Sequence, residues 1–244
     1  MSVFSWNDQI VLDERDECLT GQWKNSHFAI LPGPDFEEVR DIFSAEELAV
    51  WQALPGSERK IDWLAARTSL KYTCLSRLGL EPAQCTVNYH GDGRPALAIA
   101  GKRVPLYISL THALGWGGAV VGQGPVGIDL EFCRADDGKV GKYIGSEDEF
   151  QKLAPLLSEK TMSVSPEALM FCLKESVLKS IGTVLTIPRF QVCLLNVSWL
   201  GGCRPVLKFR SKIQNEKRYF SGIAFTTQAF VVAIARLDDG SGGQ

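Results

Sequence analysis

Three acidic side chains and one lysine fall in two short motifs, Val126-Gly-Ile-Asp-Leu-Glu131 and Phe171-Cys-Leu-Lys-Glu-Ser-Val-Leu-Lys179. The first motif predicts a β-strand, which places Asp129 and Glu131 on one face because side chains two residues apart point the same way. The second predicts a helix, with Glu175 and Lys179 one turn apart on one side. Three carboxylates suit a hard cation such as Mg²⁺, and a lysine suits phosphate. The pattern therefore favours phosphoryl-transfer chemistry.

Both motifs also have a purely structural interpretation. Glu175 followed by Lys179 is the common i,i+4 surface pair of helices, which stabilises a helix only slightly. Three apolar residues alternate with the strand carboxylates: Val126, Ile128 and Leu130. This alternation predicts carboxylates on the face opposite the core, as on a solvated edge strand. A cation between the two carboxylates would relieve their repulsion, which favours the metal interpretation.

Basic side chains and one histidine are the candidate phosphate ligands of the first half. Lys60, Arg67 and Lys71 recur on one face of a predicted helix, a pattern that a solvated helix also gives. Arg94 lies in the predicted turn Gly91-Asp-Gly-Arg-Pro95. His112 follows an apolar strand, where a histidine is more often a structural hydrogen-bonding residue than a catalyst.

Composition limits the classes of partner. The chain has 244 residues, of which 45% are hydrophobic and 22% charged, as in globular proteins with a packed core. A formal net charge of −2 argues against bulk attraction to nucleic acid or to an anionic membrane. The sequence shows no leader pattern and no apolar stretch long enough to span a bilayer, so we expect a cytoplasmic protein. Seven scattered cysteines without C-x-x-C spacing are expected to be reduced and buried.

The predicted elements repeat once along the chain. A strand at 27–31 precedes a capping-box helix start at Ser44-Ala-Glu-Glu47 and a second helix from about residue 57 to Leu78. The same order follows with a strand at 127–132, a helix start at Ser146-Glu-Asp-Glu149 and a helix that begins at Ser165-Pro166 and stops at Gly182. Short β-rich segments complete each half.

Superposing the two long helices motif on motif, Trp63 on Phe171 and Lys71 on Lys179, places Arg67 at the position of Glu175. The predicted fold class is therefore α+β, with two pseudo-symmetric halves, each a small, mostly antiparallel sheet packed on a long helix. Residues 1–125 would form a half with a basic wall, and residues 126–244 a half with metal-binding carboxylates.

Five motifs in order resemble those of the 4′-phosphopantetheinyl transferases, in particular the larger, monomeric, Sfp-type subgroup with two similar halves. Gly127-Ile-Asp-Leu-Glu131 is similar to the family strand G-I/V-D-x-E, and Phe171 to Lys179 is similar to the family helix W/F-x-x-K-E-S/A-x-x-K. Three upstream segments resemble the arginine-bearing first helix, the G-K/R-P turn and the S-L/I-S-H segment: Trp63-Leu-Ala-Ala-Arg67, Gly93-Arg94-Pro95 and Ser109-Leu-Thr-His112.

The resemblance implies a 4′-phosphopantetheinyl transferase fold and activity. The 4′-phosphopantetheine arm of coenzyme A would pass to a serine of an apo acyl or peptidyl carrier protein, with release of 3′,5′-ADP. This reaction activates fatty acid, polyketide or nonribosomal peptide synthases. The family also implies an active monomer whose partners are coenzyme A and the carrier protein, with no nucleic acid and no membrane.

Site residues carry over by resemblance, position by position. Asp129, Glu131 and Glu175 would ligate Mg²⁺, with Mn²⁺ as an alternative metal. Glu175 or a metal-bound water would take the proton of the carrier serine, and Lys179 would stabilise the leaving 3′,5′-ADP. Coenzyme A would contact four residues of the first half: Arg67, Arg94, Thr111 and His112.

Two other functions fit parts of the same pattern. A Mg²⁺-dependent nucleotide phosphohydrolase would use the same carboxylates, and an inactive carrier-protein-binding module would keep the fold alone. The chain lacks G-x-S-x-G and a Walker glycine loop, which argues against serine hydrolases of that type and P-loop nucleotide hydrolases. All three carboxylates and Lys179 are present, which favours an active enzyme.

Overall fold

The computed structural model of the protein describes residues 10–15, 18–133, 144–158, 162, 164–182, 188–200, 205–227 and 229–238. The chain divides into two compact units, residues 1–124 and 125–244. Each unit contains one antiparallel sheet with helices packed on it, so the protein belongs to the α+β class.

The sheet of the first unit has seven strands in the order β1-β2-β3-β7-β6-β5-β4, and every neighbouring pair is antiparallel. Its strands are β1 (Ile10–Arg15), β2 (Cys18–Trp23), β3 (Ser26–Pro32), β4 (Cys85–Tyr89), β5 (Pro95–Ile99), β6 (Lys102–Ala113) and β7 (Trp116–Gly122). Strand β3 and strand β7 lie at its centre, where their apolar residues are almost fully buried.

Three helices follow β3: α1 (Phe36–Val39), α2 (Ala45–Ala53) and α3 (Ser57–Leu78). The capping box that the sequence predicts is present, since Ser44 accepts from the Glu47 backbone and Glu47 accepts from the Ser44 backbone. Helix α3 ends at Gly79 in the left-handed conformation, as expected for a C-terminal glycine. Its apolar side packs on β3, β6 and β7.

The sheet of the second unit has five strands in the order β8-β12-β11-β10-β9, again antiparallel throughout. Its strands are β8 (Val126–Phe132), β9 (Val192–Leu200), β10 (Val206–Ile213), β11 (Tyr219–Thr226) and β12 (Phe230–Leu237). The order is the one in which β3, β7, β6, β5 and β4 follow each other in the first unit. The hairpin of β1 and β2 extends only the first sheet.

Two helices of the second unit have both ends within the described residues, α4 (Glu147–Ser158) and α5 (Pro166–Ile181). Ser165 caps the start of α5, and Gly182 ends it in the left-handed conformation. Helix α5 lies against β8 and β12. Gly127 makes this approach possible, because a Cβ there would lie 2.0 Å from the Ser176 carbonyl oxygen and 2.4 Å from the Ser180 nitrogen.

One buried lysine in each unit joins the long helix to the capping box of the helix before it. Lys71 Nζ of α3 lies 2.6 Å from Glu47 Oε2, and Lys174 Nζ of α5 lies 3.0 Å from Glu149 Oε2. Both lysine side chains are 1% exposed. Because buried charges are costly unless paired, these contacts fix the long helix of each unit against the helix that precedes it.

These pairs correct the predicted helix superposition. In the structure, Lys71 corresponds to Lys174, and Gly79, which ends α3, corresponds to Gly182. The structural superposition is therefore shifted by five residues from the predicted one, which placed Arg67 on Glu175. The predicted solvated basic face of Lys60, Arg67 and Lys71 is also wrong for Arg67 and Lys71, which are both buried. Sequence alone misled the comparison, because Lys174 and Lys179 are five residues apart and Lys71 can be superposed on either of them.

Candidate active site

Strand β8 and helix α5 bring the two acidic motifs together. Lys179 Nζ lies 2.6 Å from Asp129 Oδ1, across the contact that Gly127 permits. Asp129 is only 3% exposed, and the Cys172 thiol also donates to its backbone carbonyl at 3.3 Å. The carboxylate is therefore held inside the unit with a cation on it.

Glu175 is buried on the same helix, with 4% exposure. Its Oε1 forms an ion pair with Nε of Arg189, which belongs to the short 3₁₀ turn Arg189–Gln191 before β9. Burial raises the pKa of Glu175, and the Arg189 charge opposes this rise. The interpretation of Glu175 and Lys179 as an exposed surface pair is therefore wrong.

Glu131 is the most perturbed carboxyl of this group. Burial and then the charge of Asp129 raise its pKa to about 7, and the charge of Glu175 acts in the same direction. Lys179 and Arg189 lower it. The three carboxylates and the two cations thus lie within electrostatic reach of one another.

The predicted solvated face of β8 is wrong for Asp129. Gly127 meets the backbone of α5, so the face that carries Gly127, Asp129 and Glu131 packs toward the helix, with Glu131 partly buried at its end. The apolar residues Ile128 and Leu130 point to the other face and are buried as well. Alternation identified the two faces correctly but could not tell that both are covered, which is the pattern of a strand buried on two sides.

The ligand atoms that these residues offer are of the kind that a divalent cation binds. Three carboxylates that repel one another offer oxygen ligands, which Mg²⁺ prefers. Within the described part of the chain, no group of three or more His, Cys, Asp and Glu side chains takes up a metal-ligating arrangement. Asp129 and Glu175 are each engaged by a cation of the chain instead, Lys179 and Arg189.

In the first unit, Arg67 is a buried cation beside aromatic side chains. Its exposure is 7%, Nη2 donates to the Tyr89 hydroxyl at 2.6 Å, and the guanidinium carbon lies 5.3 Å from the Trp63 ring centroid. These residues line a cavity of about 730 Å³ between α2, α3 and β4, together with Val50, Gln84 and Val87. A cavity of this size is within the range of small-molecule sites.

The other predicted phosphate ligands lie at one end of the first sheet. Arg94 precedes β5 and its Nε donates to the exposed Asp92 at 2.8 Å, while His112 is the second-last residue of β6. Antiparallel pairing puts the start of β5 and the end of β6 at the same end of the sheet. Thr111 is buried in the ladder beside Gly118.

His112 is held by a carboxylate of α3. Its Nδ1 lies 3.2 Å from Asp62 Oδ2, and the backbone N–H of Gly115 donates to Asp62 Oδ1. The side chain of His112 is 54% exposed, so solvent reaches the imidazole. Asp62 therefore orients a histidine at the edge of the unit.

Sequence reasoning missed three residues of these sites: Asp62, Tyr89 and Arg189. Asp62 precedes the Trp63 motif and carried no signal of its own. Tyr89 lies in one of the short β-rich segments, and its contact with Arg67 depends on how β4 packs beside α3. Arg189 follows a proline just before one of the predicted β-rich segments and belonged to no predicted element, so only the folded structure shows its contact with α5.

Comparison with known proteins adds no assignment, since no protein family and no curated protein matches this chain. Among the described residues, no helix is both long and apolar enough to cross a membrane.

Proposed function

We propose that the protein is a Mg²⁺-dependent 4′-phosphopantetheinyl transferase of the two-half subgroup, which modifies a serine of an apo acyl or peptidyl carrier protein. The observation that carries the proposal is the meeting of the two acidic motifs. Lys179 contacts Asp129, and the charge of Glu175 acts on Glu131, so the four motif positions form one cluster. The matching strand order of the two sheets supports a fold of two similar halves.

The reaction joins the carrier serine oxygen to the phosphorus that bears the pantetheine arm, and it breaks that phosphorus from the bridging oxygen of 3′,5′-ADP. A divalent cation held by Asp129, Glu131 and Glu175 would neutralise charge on the diphosphate. Glu175 would accept the serine proton. Lys179 would stabilise the negative charge on the leaving 3′,5′-ADP.

Groups of the first unit supply the coenzyme A contacts in this proposal. Arg67 lines a cavity with aromatic walls, which suits a phosphate next to a planar base. His112 and Arg94 are exposed cationic or hydrogen-bonding groups, as contacts to a solvent-facing phosphate require. Thr111 is buried, so in this proposal it lines the coenzyme A site beside His112 and does not project into solvent.

The proposal is tested by intact-mass analysis of apo carrier proteins incubated with the protein, coenzyme A and Mg²⁺. We expect at least one acyl or peptidyl carrier in a panel to gain the mass of a single phosphopantetheine. A carrier whose modified serine is replaced by alanine should gain none. Release of phosphate from a nucleotide without any carrier would favour the phosphohydrolase instead.

Two further measurements test the metal requirement and the alternative of an inactive binding module. Chelation of divalent metal should abolish the mass gain, and either Mg²⁺ or Mn²⁺ should restore it. Binding to the carrier without any mass gain across the panel would favour the inactive binding module.

A further inference from the structure

Arg189 contacts two successive turns of α5. Its Nε pairs with Glu175 Oε1, and its guanidinium carbon lies 4.4 Å from the ring centroid of Phe171, four residues earlier on the helix. The arginine side chain is 38% exposed, whereas that of Glu175 is 5% exposed. The guanidinium is therefore held between a buried carboxylate, an aromatic ring and solvent.

The chain thus places its own cation on each of two buried carboxylates. Arg189 neutralises Glu175 as Lys179 neutralises Asp129. Both cations act on Glu131 as well, because each lowers the pKa of that carboxyl. Two positive side chains therefore balance most of the negative charge of the three carboxylates.

A divalent cation bound to the same carboxylates would disfavour the present position of the Arg189 guanidinium beside Glu175. The repulsion between a divalent ion and an adjacent guanidinium exceeds the attraction that one aromatic ring provides. The guanidinium would leave Glu175, while its backbone in the turn before β9 keeps it near the carboxylates. Guanidinium groups bind phosphate oxygens through two parallel hydrogen bonds, which a lysine cannot provide.

We propose that Arg189 is a phosphate-binding residue of this site, held by Glu175 in the metal-free protein and released to the diphosphate of the co-substrate when metal binds. This inference rests on the proposed function, since it takes the carboxylates to be metal ligands. Arg189 then has two opposing effects on binding. It weakens metal binding because it competes for Glu175, and it strengthens diphosphate binding once the metal is present.

Binding measurements separate these effects without any carrier protein. Titration calorimetry of Arg189→Met with Mg²⁺ alone should show affinity about tenfold tighter than wild type, since a competing charge is gone. With Mg²⁺ saturating, inorganic pyrophosphate should bind the same variant about tenfold or more weakly, since charged hydrogen bonds are lost. Arg189→Lys should keep wild-type Mg²⁺ affinity and recover only part of the pyrophosphate affinity.

Arg218→Met is the matched control, because Arg218 also pairs with a glutamate of the same unit, Glu216, in the turn between β10 and β11. It should change neither affinity, and circular dichroism should show all variants folded. Opposite changes for the two ligands in Arg189→Met support the inference. Parallel losses, a change in one ligand alone, or no change would each overturn it. Wild-type protein that binds Mg²⁺ and pyrophosphate but modifies no carrier would refute the proposed function and leave the role of Arg189 standing.

Discussion

Lys179 Nζ of α5 lies 2.6 Å from Asp129 Oδ1 of β8, which joins the last residue of one acidic motif to the first carboxylate of the other. The two residues are 50 positions apart in the sequence, and the contact joins a helix to an edge strand of the sheet. A pair of this kind positions groups rather than only adding stability, because both partners are fixed by the packing of their elements.

Replacing either charged residue of the α5 motif should separate catalysis from folding. Glu175→Gln and Lys179→Met should each lower turnover by roughly two or more powers of ten, the usual scale for one electrostatic or acid-base group. Glu175→Gln should also raise the Mg²⁺ concentration required, whereas Lys179→Met should stay slow at saturating Mg²⁺. Steady-state kinetics over a Mg²⁺ series checks this, with Glu216→Gln as a control for loss of a partly exposed glutamate away from the site. Wild-type turnover in both folded variants would contradict the catalytic roles.

Gly127→Ala should damage the site through the backbone. The added Cβ would meet the Ser176 carbonyl at 2.0 Å, so α5 must move away from β8. We expect a loss of about 1–3 kcal/mol in the free energy of unfolding, the usual range for overpacking, together with lower turnover. Denaturant unfolding measures it, and Gly91→Ala is the control, because a Cβ at Gly91 meets no atom within 4 Å. Equal stability of the two variants would argue against this helix approach.

The buried pair of Lys174 and Glu149 should be essential to the second unit. Lys174→Met leaves Glu149 buried without its cation, which should cost about 3–5 kcal/mol. The double variant Lys174→Met with Glu149→Leu should recover part of this loss, because no unpaired charge remains. Denaturant unfolding of the four proteins of this cycle measures the coupling. Additive losses would show that the two residues act independently.

Stability of the metal-free protein should fall as pH rises. The pKa of Glu131 is raised from 4.5 to about 7 in the folded state, so between these values the native protein binds more protons than the unfolded chain. The free energy of unfolding therefore decreases with pH across this window. Bound Mg²⁺ should oppose the decrease by stabilising the ionised carboxylates.

Thermal unfolding with chelator and with Mg²⁺, at about pH 5 and about pH 8, measures this effect. The stabilisation by Mg²⁺ should be larger at the higher pH, and Glu131→Gln should reduce the difference. Equal stabilisation at both pH values in the wild-type protein would contradict the assignment of Glu131.

Local signals predicted most of the elements. The capping serines Ser44 and Ser165 and the terminal glycines Gly79 and Gly182 marked the helix ends, because each satisfies backbone groups at a fixed offset. The hairpin of β1 and β2 was not predicted. Its two segments, Ile10–Arg15 and Cys18–Trp23, show no clear alternation. They are strands because β1 pairs with β2 and β2 pairs with β3.

The sequence predicted the motif residues of the candidate site but not the residues that contact them. Period and residue type identified Asp129 and Glu175, since both depend on local sequence. The contacts of Arg189 with Glu175 and of Arg67 with Tyr89 join elements that are distant along the chain, and spacing carries no information about them. The same limit explains why Lys71 was expected on an exposed face, although its partner Glu47 lies on another helix.

The stoichiometry of 3′,5′-ADP release against carrier modification tests the central proposal most directly. With coenzyme A, Mg²⁺ and an apo carrier protein that the intact-mass panel identifies, we expect one 3′,5′-ADP for each phosphopantetheine gained, and none when the carrier is omitted or its serine is alanine. Equal formation of 3′,5′-ADP with and without the carrier would contradict the account, because water rather than the carrier serine would then be the acceptor.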